Sequence, residues 1–204
     1  MSYGGFAGGI LAIAIYARLE RVSFPGILDA TAPCLALGEA VSRIGCFVAG
    51  CCWGCVSTVP WAVRFPGGSR AFVSQSHLNT IPLDAPESLP VHSTQLYMLA
   101  GLSLLTVLLL AFDKHKRVQG QTTCAYLLVY GILRFTVEIF RDAERGGDSP
   151  RVIDIYMTFS QTVCLCLIIV GFIGLLILLR YRGPFRSIPG EMPADLKPWK
   201  ATDR

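Results

Sequence analysis

Residues 155–179 read IYMTFSQTVCLCLIIVGFIGLLILL and carry no charged side chain over 25 positions. A helix needs roughly 20 apolar residues to cross the hydrocarbon core of a bilayer. This run is therefore long enough to span, and lipid offers its backbone no outside partner, so it must be helical. Working back towards the amino terminus, apolar runs of the same kind recur at about 122–140, 95–112, 27–52 and 3–17. The expectation is an all-α polytopic membrane protein with about five transmembrane helices. The first run is short for a span. The second is interrupted by Asp29, Glu39 and Arg43, which argues for a helix lining a polar interior.

Composition agrees. The 204 residues are 52% hydrophobic and 16% charged, with a mean hydropathy of +0.51. Soluble domains average about 25% charged residues. The net charge of +4 comes from basic residues at the ends of apolar runs. No basic patch is interleaved with exposed aromatics, so nucleic acid is not an expected partner and the bilayer is.

Orientation follows from lysine and arginine placement. Eleven basic residues fall on one side: Arg18, Arg21, Lys114, Lys116, Arg117 and six in the carboxyl-terminal tail. Five fall on the other: Arg64, Arg70, Arg141, Arg145 and Arg151. The positive-inside rule puts the tail in the cytoplasm and residues 53–94 and 141–154 outside. The organisation expected is a membrane core over 1–180, with an extracytoplasmic head segment at 53–94, and a polar, Pro-rich cytoplasmic tail over 181–204. The head is too long for a plain loop and too rich in turn residues for a helix, so a small cap or strand-containing unit is expected. With this orientation the amino terminus starts outside without a recognisable signal peptide. A pair of upstream helices is expected to belong before it.

Arg43 and Arg134 lie inside otherwise apolar runs. A charge at bilayer depth costs about 2.5–3.5 kcal/mol on insertion scales, and such residues generally face a protein interior and act there. A planar, bidentate cation points to an anionic ligand, and in lipid the first candidate is a phosphate head group. Tyr130, Arg134, Glu138 and Arg141 recur at spacings of four, four and three, so they share one helix face. That stripe is either a ligand site or an ion-pair ladder neutralised by Glu138. Glu39 and Arg43 form a second i,i+4 pair, continued on the same face by Cys46, Phe47, Gly50 and Gly54. The glycines admit either a head group or a neighbouring helix. Gly4, Gly5, Gly8 and Gly9 form GxxxG patterns, which by themselves mean close helix contact.

Residues 90–97, PVHSTQLY, lead into the third span. His92 and Ser93 suit a helix cap, and His92 equally suits a base at neutral pH. Cys46, Cys51, Cys52 and Cys55 cluster, while the other four cysteines lie in apolar runs as small hydrophobes. One Cys group with no second ligand pair does not make a zinc signature, so no metal is expected. A disulfide on the outer face is the alternative.

Three segments, in order, resemble the prolipoprotein diacylglyceryl transferase family. Residues 43–54, RIGCFVAGCCWG, look like its G-R-x-G-N-F-x-N-x-E-x-W-G signature. Residues 92–97, HSTQLY, look like its H-P-x-Q-L-Y-E segment. Residues 130–141, YGILRFTVEIFR, are similar to its Y-G-x-x-R-F-x-x-E-x-F-R helix. The resemblance covers residues 3 to about 175. It implies seven membrane helices, of which this chain would supply the last five. It implies transfer of a diacylglyceryl group from phosphatidylglycerol to the lipobox cysteine of a prolipoprotein signal peptide. The setting is the bacterial cytoplasmic membrane, with the site open towards the outer face and no cofactor. Arg43 and Arg134 correspond to the arginines that hold the phospholipid. Gly4, Gly5, Cys46, Gly50, Gly54, Gln95, Tyr97, Tyr130 and Arg141 are the further candidates for that pocket. Tyr3, His92 and Glu138 are candidate bases.

Departures are local. Ser2-Tyr3-Gly4-Gly5 stands at the family's H-G-G motif, so Tyr3 replaces its histidine. Cys46 replaces Asn, Cys51 an acid, Cys55 an Arg, and Met98 a Glu. The alternative function is a relative that binds an anionic phospholipid or a lipoprotein precursor without transfer. An acyl-type transferase with a nucleophile among Cys46–Cys55 is a third reading.

Overall fold

A computed structural model describes residues 3–141, 151–153 and 157–180, without the side chains of Tyr3, Phe6, Ala7, 151–153 and 157–158. The expected tail at 181–204 and most of the 141–154 loop lie outside the described residues.

Five long helices form in the order α1 (Tyr3–Leu19), α2 (Phe24–Val48), α4 (Thr94–Asp113), α5 (Gln121–Ile139) and α6 (Phe159–Arg180). Between α2 and α4 lies the short α3 (Arg70–His77). Four of the long helices, α2, α4, α5 and α6, are long and apolar enough to cross a membrane. The 17-residue α1 extends about 25 Å at 1.5 Å per residue, less than a full span. Outward faces are apolar: Leu104, Val107 and Leu108 of α4 and Ile169, Phe172 and Ile177 of α6 are exposed. In water such faces would be a liability, whereas lipid is their natural solvent.

The inward faces explain which helices meet. Ala32, Ala36 and Ala40 recur every fourth residue on α2 and are buried against Met98, Leu102, Leu105 and Leu109 of α4. This small-residue seam brings the two backbones close. Among the described residues, a methyl built on Gly4, Gly5, Gly8 or Gly9 of α1 would touch nothing within 4 Å. The α5 helix packs along α6 and α4, with Tyr126 stacked on Tyr130 at 5.3 Å.

Helix boundaries differ from expectation for local reasons. Pro25 fits the first turn of α2, where an N–H is not needed, so that helix starts earlier than residue 27. It stops at Val48 because Gly50 and Cys52 adopt left-handed backbone, with φ of 59° and 63°. Residues Arg151–Ile153 (β1) and Met157–Thr158 (β2) pair as a short antiparallel hairpin, so α6 begins at Phe159 rather than 155.

Residues 49–93 fold over the end of the bundle where α2 and α5 finish and α4 begins. Antiparallel bridges join Val56 and Val63 to Val91, and Pro66 to Glu87. Phe65, Ala71 and Val91 form a separate small core. The one element the turn-rich composition hid is α3. Ser69 caps it, its hydroxyl accepting from the Phe72 N–H at 3.3 Å.

Candidate functional site

Both intramembrane arginines lie near the same end of the bundle. Arg43 is one turn and a half from the end of α2, and Arg134 is in the penultimate turn of α5. The i,i+4 spacing lets each meet a carboxylate on its own helix. Arg43 pairs with Glu39. Arg134 Nη1 donates to Glu138 Oε2 at 2.5 Å, and Arg141 Nη1 lies 3.6 Å from the same oxygen. Tyr130 bridges the two helices, its hydroxyl donating to Glu39 Oε1 at 3.4 Å. Tyr130 also interacts electrostatically with Arg134. The two sequence stripes are thus one polar network between α2 and α5.

Among the described residues, Arg43, Arg134 and Arg141 share this network with the carboxylates of Glu39 and Glu138. The Nε of Arg43 is a buried donor with no hydrogen-bond partner among the described residues. A buried, unsatisfied N–H on a charged group is costly.

A second cluster caps this end. The His92 Nδ1 lies 3.0 Å from the Tyr97 hydroxyl, which accepts from Trp61 Nε1 at 2.7 Å. The His92 ring packs against Phe140 with centroids 5.2 Å apart. Backbone bonds fix this arrangement: the Gly54 N–H donates to the His92 carbonyl at 2.8 Å, and the Cys55 N–H to the Phe140 carbonyl at 2.8 Å. Gly54 must be glycine here. A methyl on it would lie 2.7 Å from the Phe140 oxygen, 2.8 Å from His92 Cβ and 2.9 Å from Thr94 Cγ2. Gly50 has the positive φ that lets the chain turn back from α2, and its carbonyl accepts from the Ala71 N–H at 3.1 Å.

Gln95 anchors the start of α4 by donating from Nε2 to the Cys51 carbonyl at 2.7 Å, and Thr94 Oγ1 donates to the Cys52 carbonyl at 2.6 Å. The Gln95 Oε1 is buried without a partner among the described residues. Cys46 and Cys51 stand at the junction of α2 and the loop. Burial, with Cys52 and Cys46 alongside, pushes the Cys51 thiol up to about 11.

The fold therefore gathers Arg43, Arg134, Glu138, Arg141 and Tyr130 into one network. It gathers His92, Gln95, Tyr97, Gly54, Gly50 and Cys46 at the adjoining end. Gly4 and Gly5 are not brought to either group. Tyr3 begins α1, but its side chain lies outside the described residues. Glu39, Trp61 and Phe140 complete the site without having been singled out as site residues. Glu39 was legible as the i−4 partner of Arg43. Phe140 stood in the quoted 130–141 match without being given a role, and Trp61 gave no motif signal.

Asp29 is a different matter. It is fully buried in the first turns of α2 and is saturated with donors. Its Oδ1 accepts from the Thr123 N–H at 2.9 Å and Thr123 Oγ1 at 2.8 Å; its Oδ2 accepts from the Gly120 N–H at 2.8 Å and Lys116 Nζ at 3.2 Å. It caps the amino terminus of α5, where backbone N–H groups favour an anion. Asp29 thus belongs to a helix cap at the far end of the bundle, not to the polar interior around Arg43.

The comparisons with known proteins agree on one family. The family model described as prolipoprotein diacylglyceryl transferase matches residues 1–177. The chain is 35% identical over 175 residues to the phosphatidylglycerol–prolipoprotein diacylglyceryl transferase of Idiomarina loihiensis, covering 84% of this chain and 57% of that protein. It is 33% identical over 183 residues to the protein of that name from Burkholderia cenocepacia, covering 83% and 60%. For that of Neisseria meningitidis serogroup B the identity is 32% over 179 residues, covering 84% and 62%. The chain spans about three fifths of the length of these curated relatives. The matched region contains both arginine helices, and the chain belongs to the prolipoprotein diacylglyceryl transferase family.

Proposed function

We propose that this chain transfers a diacylglyceryl group from phosphatidylglycerol to the lipobox cysteine thiol of a prolipoprotein, the first step of lipoprotein maturation. The observation that carries this reading is the meeting of Arg43 and Arg134, with Glu39, Tyr130 and Glu138, in one partly buried polar network between two apolar helices. A phosphodiester head group carries one negative charge and presents acceptor oxygens. Its oxygens match the guanidinium donors of Arg43 and Arg134 and the idle buried Nε of Arg43.

In the reaction a thiol loses its proton and its sulfur attacks the terminal glyceryl carbon. A C–S bond forms, the C–O bond to phosphate breaks, and glycerol phosphate leaves with the electron pair. The thiolate, not the thiol, is the nucleophile. Arg43 and Arg134 would hold the phosphate and stabilise the charge that develops on the departing group. Glu138, held between two arginines, serves best to orient Arg134. His92 is the best-placed base among the described residues, fixed by Tyr97 and Phe140 next to the end of α5. Gln95, Tyr130 and Arg141 complete the lipid pocket. The setting is the bacterial cytoplasmic membrane, with residues 49–93 on the outer face and the tail in the cytoplasm.

A second reading, lipid or precursor binding without transfer, is favoured by Tyr3 at the position of the family histidine. Expression in a bacterium depleted of its own transferase separates the two. A prolipoprotein that gains a diacylglyceryl group, seen by mass spectrometry, supports transfer. A membrane-inserted chain that binds phosphatidylglycerol but leaves the precursor unmodified supports binding alone.

A further inference from the structure

The loop that follows α2 brings three thiols together. The Sγ atoms of Cys46, Cys51 and Cys52 all lie within 4.8 Å of one another, and all three residues are half-buried. A metal–thiolate bond is about 2.3 Å, so three sulfurs on one ion stand about 3.8–4.0 Å apart. Small rotations about Cα–Cβ close the difference. The backbone explains how residues so near in sequence converge. The Cys51 N–H donates to the Cys46 carbonyl at 3.0 Å, and left-handed Gly50 and Cys52 fold the loop back on the helix end. A non-glycine residue at φ 63° is uncommon and costs energy.

The surroundings suit a cation. Arg43 interacts electrostatically with Cys46, so some of the charge of a thiolate set is already balanced. Expectation from spacing was against a metal, because only one Cys group is present. That argument counts sequence pairs and does not foresee a turn that folds one group onto itself.

We propose that Cys46, Cys51 and Cys52 form a three-thiolate site for a thiophilic d10 cation, Cu(I) or Zn(II), which clamps the end of α2 to the start of α4. Thiolate ligands select these ions over Mg and Ca. Binding replaces three S–H bonds by three metal–sulfur bonds and releases three protons. The clamp acts through the carbonyls of the ligating residues: those of Cys51 and Cys52 hold Gln95 and Thr94. This site borders the proposed phosphodiester pocket, with Arg43 and Gln95 next to both, and metal binding to it is measured without reference to lipid transfer.

The test uses the full chain, purified in detergent under a non-chelating phosphine reductant, with Zn(II) and Cu(I) added separately. The expected result is one ion per chain, a higher unfolding temperature, and protection of Cys46, Cys51 and Cys52 from N-ethylmaleimide. Cys34 and Cys166, exposed on apolar faces, should alkylate as before. Cys52→Ser should weaken binding at least about tenfold. Protection by Cu(I) alone assigns a trigonal site, and protection by Zn(II) assigns a fourth ligand; either supports the clamp. Uniform alkylation of all three thiols in the presence of both ions would overturn it. So would protection that needs no metal and disappears with reductant, which is the signature of a disulfide.

Discussion

At the end of the bundle where α2 begins, Asp29 accepts four hydrogen bonds and faces Lys116. At the end where α2 finishes, Arg43 has one carboxylate partner and an idle buried Nε. Both residues are charges in an apolar helix, and by hydropathy they look alike. One is closed by the chain itself and so does structural work. The other keeps a buried donor without a partner among the described residues. Saturation of donors and acceptors, more than the presence of a charge, separates the cap from the proposed ligand site.

The comparison breaks most visibly by exchanging roles. Arg134→Ala and Arg43→Ala should each remove transfer, by at least about 10²–10³-fold per folded molecule. The Lys variants should recover only a small part, because an ammonium cannot reproduce bidentate contact. Rates per folded molecule on a lipobox peptide are the readout. Asp29→Ala should do the reverse. Leaving Lys116 and the α5 amides without their anion should cost about 3 kcal/mol or more, seen as a lower unfolding midpoint in detergent, with the rate per folded molecule retained.

Gly54→Ala sharpens the picture of the open end. Its methyl would meet the Phe140 oxygen, His92 and Thr94 within 3 Å, so stability should fall by about 1–3 kcal/mol. His92 should also be displaced, lowering the rate. Alkaline pH tests the closed end. Burial works against the Lys116 charge, but Asp113 and Asp29 outweigh it and raise its pKa above the usual 10.5. The folded value exceeds the unfolded one, so the stabilisation is whole below 10.5 and is lost as pH climbs through the raised value. The unfolding midpoint should fall in that range for the wild type and less so for Lys116→Met. The smallest effect is expected from Ser69→Ala, which removes the cap of α3 for about 1 kcal/mol and leaves the arginine network untouched.

Much of the open end was legible in the sequence, because its pairs are local. Glu39–Arg43, Arg134–Glu138 and Glu138–Arg141 are spaced by three or four residues, and helix periodicity displays them. The link through Tyr130 to Glu39 spans 91 residues and could not be seen. The closed end was missed for the same reason: the partners of Asp29 are 87 to 94 residues away. The alanine face of α2, which packs closely on α4, carries no motif of its own, and only burial against a neighbour displays such a seam. In the head, Ser69 before Arg70 was the available signal for α3, masked by the prolines and glycines around it.

The most direct experiment is in vitro transfer from phosphatidylglycerol to a lipobox peptide, followed by mass spectrometry for wild type, Arg43→Ala, Arg134→Ala and Asp29→Asn. An open arginine site and a closed aspartate cap require diacylglyceryl–peptide from wild type and Asp29→Asn, and none from either arginine variant. Transfer that persists in both arginine variants, or a folded wild type that leaves the peptide unmodified, would contradict it.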